Sequence, residues 1–204
     1  GNPVFSSPYN FVFQNVSWGG KTFLRPNLHE QRRSYSQYAF NTTDGKMYAH
    51  YKGITCSYNT RTRTWDTINA MPHPSSSGSA AYMRFGFMAH DPINNEVLIA
   101  GGAIDKRDGW SGVWALSLVS RTWVKQNGLV EPTPRAYASV ATDPVRGKIV
   151  VFGGDHLDYL MNDTCVYDCA TKSWEKKVPA VAPSPRAGAV MVYAPNSGKI
   201  VLLG

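Results

Sequence analysis

The chain has 204 residues, of which 43% are hydrophobic and 17% charged, and its formal net charge is +7. That balance describes a folded chain with an ample core and excludes a disordered one. The cations are scattered, with Arg32-Arg33 and Arg61-Thr62-Arg63 as the tightest groupings, which argues against nucleic acid as a partner, and no apolar run approaches the roughly 18 residues of a membrane span.

In chain order, the first apolar stretch is "PYNFVFQNVSWGG", with Trp18 standing 15 residues before Arg33. It predicts the third and fourth strands of a unit that lacks a first and second. From Arg33 onward a period takes over: Arg33, Arg84, Arg135 and Arg186 are each 51 residues apart. After each arginine comes an alternating stretch that ends in turn residues, "SYSQYAFNTTD", "FGFMAHDPINN", "AYASVATDPVRG" and "AGAVMVYAPNSG". Alternation closed by Asp, Pro, Asn and Gly predicts a strand and a turn. A second strand follows in "KMYAHYKG", "EVLIAGG", "KIVVFGG" and "KIVLLG". Beyond it lie "ITCSYNTRTRTW", "GVWALSLVSRTW" and "TCVYDCATKSW", closing on Trp65, Trp123 and Trp174. Four short strands per unit and no helical period predict an all-β array of four-stranded antiparallel blades. The expected divisions are a half blade over 1–30, blades over 31–82, 83–133 and 134–184, and a half blade over 185–204.

"PRAYASVATDPVRGKIVVFGG…NDTCVYDCATKSW" closely resembles the kelch repeat, with its Pro-Arg start, paired glycines, aromatic-Asp pair and Trp. The resemblance covers residues 31 to 204. Blade one departs most, with Tyr51-Lys52 in place of the glycines. It implies a β-propeller, with sheets packed radially about a central channel, from a bacterial or extracellular protein; an extracellular or periplasmic setting is the expectation. The glycines are expected to admit a neighbouring blade, and the tryptophans to fill the wedge between blades. The half units at the two ends are complementary, which leaves three expectations open. The chain closes as a four-bladed ring, two chains form a homodimer by completing each other's split blade, or the piece belongs to a larger propeller.

Strand direction puts Arg33, Arg84, Arg135 and Arg186 on one loop face, near the channel mouth. There they would hold an acidic ligand by bidentate hydrogen bonds, or else tie blades together through carboxylates and loop carbonyls. Residues that break the repeat are the other candidates: Trp110 in "AIDKRDGWS", and His156 and Tyr159 in "DHLDYLMND". An aromatic without a counterpart suits a peptide or sugar contact. Asp155, Asp158 and Asp163 lack the dense oxygen spacing of a calcium loop and read as turn and capping residues. Cys56, Cys165 and Cys169 read as small buried hydrophobes. No HExxH, GxSxG, Walker A or GxGxxG stretch occurs; neither cofactor nor metal site is expected. The functional expectation is a noncatalytic binding module for a protein or glycan. The alternative implied by the resemblance is a piece of a carbohydrate-active propeller enzyme, such as a galactose-oxidase-like copper oxidase or a sugar-acid epimerase.

Overall fold

A computed structural model of the chain describes residues 13–18, 21–26, 37–51, 54–68, 86–105, 108–109, 112–126, 132–156 and 158–204. Strands β1 (Phe13–Trp18) and β2 (Lys21–Pro26) form a two-stranded sheet. Blade one follows as β3 (Gln37–Asn41), β4 (Lys46–Tyr51), β5 (Ile54–Asn59) and β6 (Thr64–Ile68). Blade two begins with β7 (Phe87–Asp91) and β8 (Glu96–Ala100). A short ribbon, β9 (Ala103–Asp105) and β10 (Asp108–Gly109), interrupts it before β11 (Val113–Ser117) and β12 (Trp123–Gln126) complete it. Blade three is β13 (Ser139–Asp143), β14 (Lys148–Asp155), β15 (Leu160–Asp168) and β16 (Ser173–Lys177). A final hairpin, β17 (Val190–Ala194) and β18 (Lys199–Leu203), forms its own two-stranded sheet. Within each four-stranded sheet the strands lie side by side in chain order, all antiparallel. Among the described residues there is no helix.

The first turn of each blade shows why Asp and Asn recur there. The side-chain oxygens of Asn41, Asp91 and Asp143 accept from the backbone N–H groups two and three residues ahead, at 2.8 to 3.3 Å, an Asx turn that stops the strand. These anchors and Ala194, their counterpart in the last hairpin, also show where the repeat slips. They stand 50, 52 and 51 residues apart (41, 91, 143, 194), whereas the arginines keep a strict 51. Blade two therefore has one residue fewer between its arginine and its turn.

The first strands stand side by side: β3 packs on β7, β7 on β13, and β13 on β17. Two cores lie between successive sheets. Between blades one and two, Ala39, Tyr48 and Ile68 meet Met88, Val97, Ile99, Trp114, Leu116 and Trp123. Between blades two and three, Phe87, Ala89, Leu98, Ala100, Val113 and Ala115 meet Ile149, Val151, Cys165, Tyr167 and Cys169. Blade two is thus covered on both faces, which is why "FMAHD" and "EVLIA" are buried almost throughout instead of alternating. Trp123 is buried in the first of these cores, with its ring 5.7 Å from that of His50, and Trp174 stands edge-on to Phe87 at 6.2 Å. Trp123 and Trp174 thus each reach the blade before their own. All three cysteines are buried and free.

Hydrogen bonds tie the sheets as well. Thr142 Oγ1 donates to His90 O at 2.9 Å, Ser139 Oγ to Ala189 O at 2.8 Å, and Asn94 Nδ2 to Cys169 O at 2.7 Å. Arg121 and Lys172 share one position, two residues before the tryptophan, with φ of 58° and 52°. Each reaches back one blade, to Asp66 at 2.8 Å and to Glu96 at 3.0 Å. The N-terminal hairpin differs from expectation. Trp18 closes β1 opposite Lys21, whereas in blades two and three the tryptophan is the first or second residue of the fourth strand. β1–β2 and β17–β18 are separate sheets and do not join into one blade.

Candidate functional site

Two of the four repeat arginines lie among the described residues. Arg135 is wholly buried, and every part of its guanidinium is engaged within its own blade. Nε donates to Thr133 O at 3.0 Å, and Nη1 to Gly153 O at 3.0 Å. Nη1 and Nη2 grip the two oxygens of Asp163 at 2.6 and 3.0 Å. Burial pushes the Asp163 carboxyl up, but the hydrogen bonds and charge of Arg135, with Lys176 at 3.6 Å behind them, more than offset this and hold it below the usual carboxylate range. The sequence reading of Asp163 as a turn residue is thereby corrected: it is the counter-ion of a repeat arginine. The expected tie to a neighbouring blade is corrected as well: the carboxylate that meets the Arg135 guanidinium comes from strand three of its own blade.

Arg186 repeats the first half of this arrangement. Its Nε donates to Ser184 O at 3.1 Å, and Nη1 donates to Gly204 O, 18 residues on, as Arg135 does to Gly153. Nη2 rests on Ser184 Oγ at 2.9 Å, the side chain is half-buried, and no carboxylate meets it among the described residues. Both arginines also act through their carbonyls. Gly102 N donates to Arg135 O at 2.8 Å and Gly154 N to Arg186 O at 2.9 Å. A Cβ on Gly153, where φ is +62°, would stand 2.5 Å from Arg186 O, so the paired glycines are the crossing point of the next blade's lead-in chain. Arg33, Arg84 and Trp110 lie outside the described residues.

His156 and Tyr159 are brought together. Their rings stack at 4.9 Å and 23°, closed by a His156 N to Tyr159 O bond of 3.0 Å. Tyr159 is 54% exposed, and His156 Nδ1 has no hydrogen-bond partner. The Ala136–Asp155 bridge, with bonds of 2.9 and 2.8 Å, lays the start of blade three beside this loop. It brings in Tyr137, a residue the sequence reading did not single out. Tyr137 is exposed, and its φ of 54° is left-handed. Two residues after Arg186 the same place is Gly188, with φ 74°. The contrast of "PRAY" with "PRAG" is the signal in the sequence: an aromatic stands at a left-handed position that glycine fills in the last hairpin.

The opposite end holds a cavity of about 550 Å³ running along the first strands toward their turns. Tyr38 and Phe40 of blade one, Met88 and His90 of blade two, Val140 of blade three and Tyr193 of the last hairpin are among the residues that line it. His90 is buried with Nε2 unpartnered, and burial pushes its imidazole pKa down, keeping it neutral near pH 7. Among the described residues no three His, Cys, Asp or Glu side chains gather to hold a metal ion.

Sheets of four antiparallel strands, packed face to face with their first strands side by side, define the β-propeller class of repeat protein. A family model for the KLHDC2/KLHL20/DRC7 Kelch-repeats domain matches residues 32–204. The chain belongs to the kelch-repeat family, whose domains generally serve as protein-interaction modules.

Proposed function

We propose that this chain recognises a segment of another protein through the loop face at the start of its first strands, without catalysis of its own. The observation that carries this is Tyr137, exposed and left-handed, which follows Ala136, the residue bridged to Asp155 at the root of the loop that holds the stacked His156–Tyr159 pair. Three rings on loops over rigid sheets present large contact area at low entropic cost. Arg33 and Arg84 join the same reading through their places in the repeat, and Trp110 by breaking it. Arg135 supports the face from below as its anchor.

The test is selection of binding peptides from a displayed library, with a glycan array run alongside. Tyr137→Gly and Tyr159→Ala are expected to weaken the selected peptides about tenfold or more, while thermal stability holds because glycine already occupies the Tyr137 position in the last hairpin. Unchanged peptide binding by both variants would overturn the loop-face reading. Binding confined to the glycan array would replace protein with carbohydrate as the ligand class.

A further inference from the structure

Blade three differs from blade one where its second strand turns into its third. β14 runs for eight residues and β15 for nine, whereas β4 and β5 have six each. The extra length follows a register shift between Phe152 and Gly154, with Gly153 and Gly154 at φ of 62° and 114°. Pairing then resumes as Gly154↔Met161 and Asp155↔Leu160, so a short finger stands beyond the bulge. Two lead-in segments brace its root: Ala136 bridges Asp155, and Arg186 N donates to Met161 O at 3.1 Å.

The tip of the finger carries His156, Asp158 and Tyr159. The His156 N to Tyr159 O bond closes it, and the His156 ring covers one face of the tyrosine ring. Tyr159 nevertheless stays more than half exposed. An aromatic face carries partial negative charge, and Asp158 adds a full one. It is exposed and pairs with no cation among the described residues. The two repeat arginines that are described do not neutralise the tip. The Arg135 guanidinium is occupied by Asp163 within the blade, and that of Arg186 by Gly204 O and Ser184.

We infer that the tip of this finger takes a cationic side chain, arginine or lysine, presented by the partner protein. The cation lies over the open face of Tyr159, within about 6 Å of the ring centre, and its charge meets the Asp158 carboxylate. Arginine suits the place better, because its planar group stacks on a ring while donating to a carboxylate at its edge. An acidic segment, which the row of arginines would suggest, meets like charge here. Asp158 thereby selects among partners more than it adds affinity. This names the partner chemistry for the loop-face reading above and rests on it.

Peptides selected from the displayed library on the whole protein supply the test. They are expected to share an arginine or lysine at one fixed position. Exchanging that arginine for citrulline, or that lysine for acetyl-lysine, removes the charge and keeps most of the shape. In fluorescence anisotropy the exchange is expected to weaken binding about fivefold or more. With Asp158→Asn or Tyr159→Leu in the protein, the gap between parent and neutral peptide is expected to fall to about twofold, while thermal stability holds because both residues are exposed. The inference is overturned if the selected peptides share no cation, if neutral peptides bind as tightly as their parents, or if the gap is unchanged in either variant. In each of those cases the loop-face reading still stands when Tyr137→Gly weakens the same peptides, so the two fail separately. A library that yields no binder overturns both.

Discussion

Replacing Asp163 by Asn tests whether the buried arginine clamp holds blade three together. The side chains of Arg135 and Asp163 are 1% and 10% exposed, and two hydrogen bonds of 2.6 and 3.0 Å join them. An asparagine keeps one acceptor and turns an NH2 donor toward a guanidinium that has only donors. Lys176 cannot take over, being itself a cation and 62% exposed. Removing one partner of a buried pair costs about 3–5 kcal/mol, since the other charge stays in the interior; an exposed pair would cost about 1 kcal/mol at most. With a urea dependence of roughly 3 kcal/mol per molar, the unfolding midpoint of Asp163→Asn falls by about 1–2 M. The pH dependence has a definite sign. Asp163 titrates lower folded than unfolded, so its contribution is complete above the unfolded value of roughly 4 and is lost as pH falls through the lower folded value. The gap between wild type and variant is therefore constant at neutral pH and closes in acid. Replacing both partners with Arg135→Met and Asp163→Leu recovers much of the loss. A midpoint shift below about 0.3 M, the size of an exposed pair, would show that water reaches the guanidinium and refute the reasoning.

Gly153→Ala places a methyl 2.5 Å from Arg186 O at a φ of +62°, and is expected to cost about 2 kcal/mol or more, read in the same urea assay. Gly198→Ala, with a similar φ and nothing within 4 Å of the added carbon, loses only the roughly 1–2 kcal/mol of left-handed strain. Trp123→Ala empties the core between blades one and two and costs about 3–5 kcal/mol, visible as a lowered melting temperature. Lys172→Ala breaks a partly exposed ion pair with Glu96 and changes stability by less than about 1 kcal/mol, diminishing further in salt.

The strands were legible because alternation, Asx turns and closing tryptophans are local and recur at one period. Partners distant in sequence were harder to see. Asp163 looks like any strand-end aspartate until Arg135, 28 residues earlier, is found against it. Tyr137 was passed over because a left-handed backbone has no composition of its own; only its alignment with Gly188 exposes it. The one-residue slip in blade two is hidden in the sequence because the arginines keep their spacing while the turn residues do not. The cavity along the first strands could not be read from any single repeat, since the three blades and the last hairpin all contribute to its walls.

The two flanks of blade two are unlike: it turns Trp114, Trp123, Leu116, Ile99, Val97 and Met88 toward blade one, but three alanines and Val113 with Phe87 and Leu98 toward blade three. A ridged side can seat only on a shallow one, so the modules behave like directional tiles. Turned end for end, blade two would bring its tryptophans to the flank where its alanines now sit.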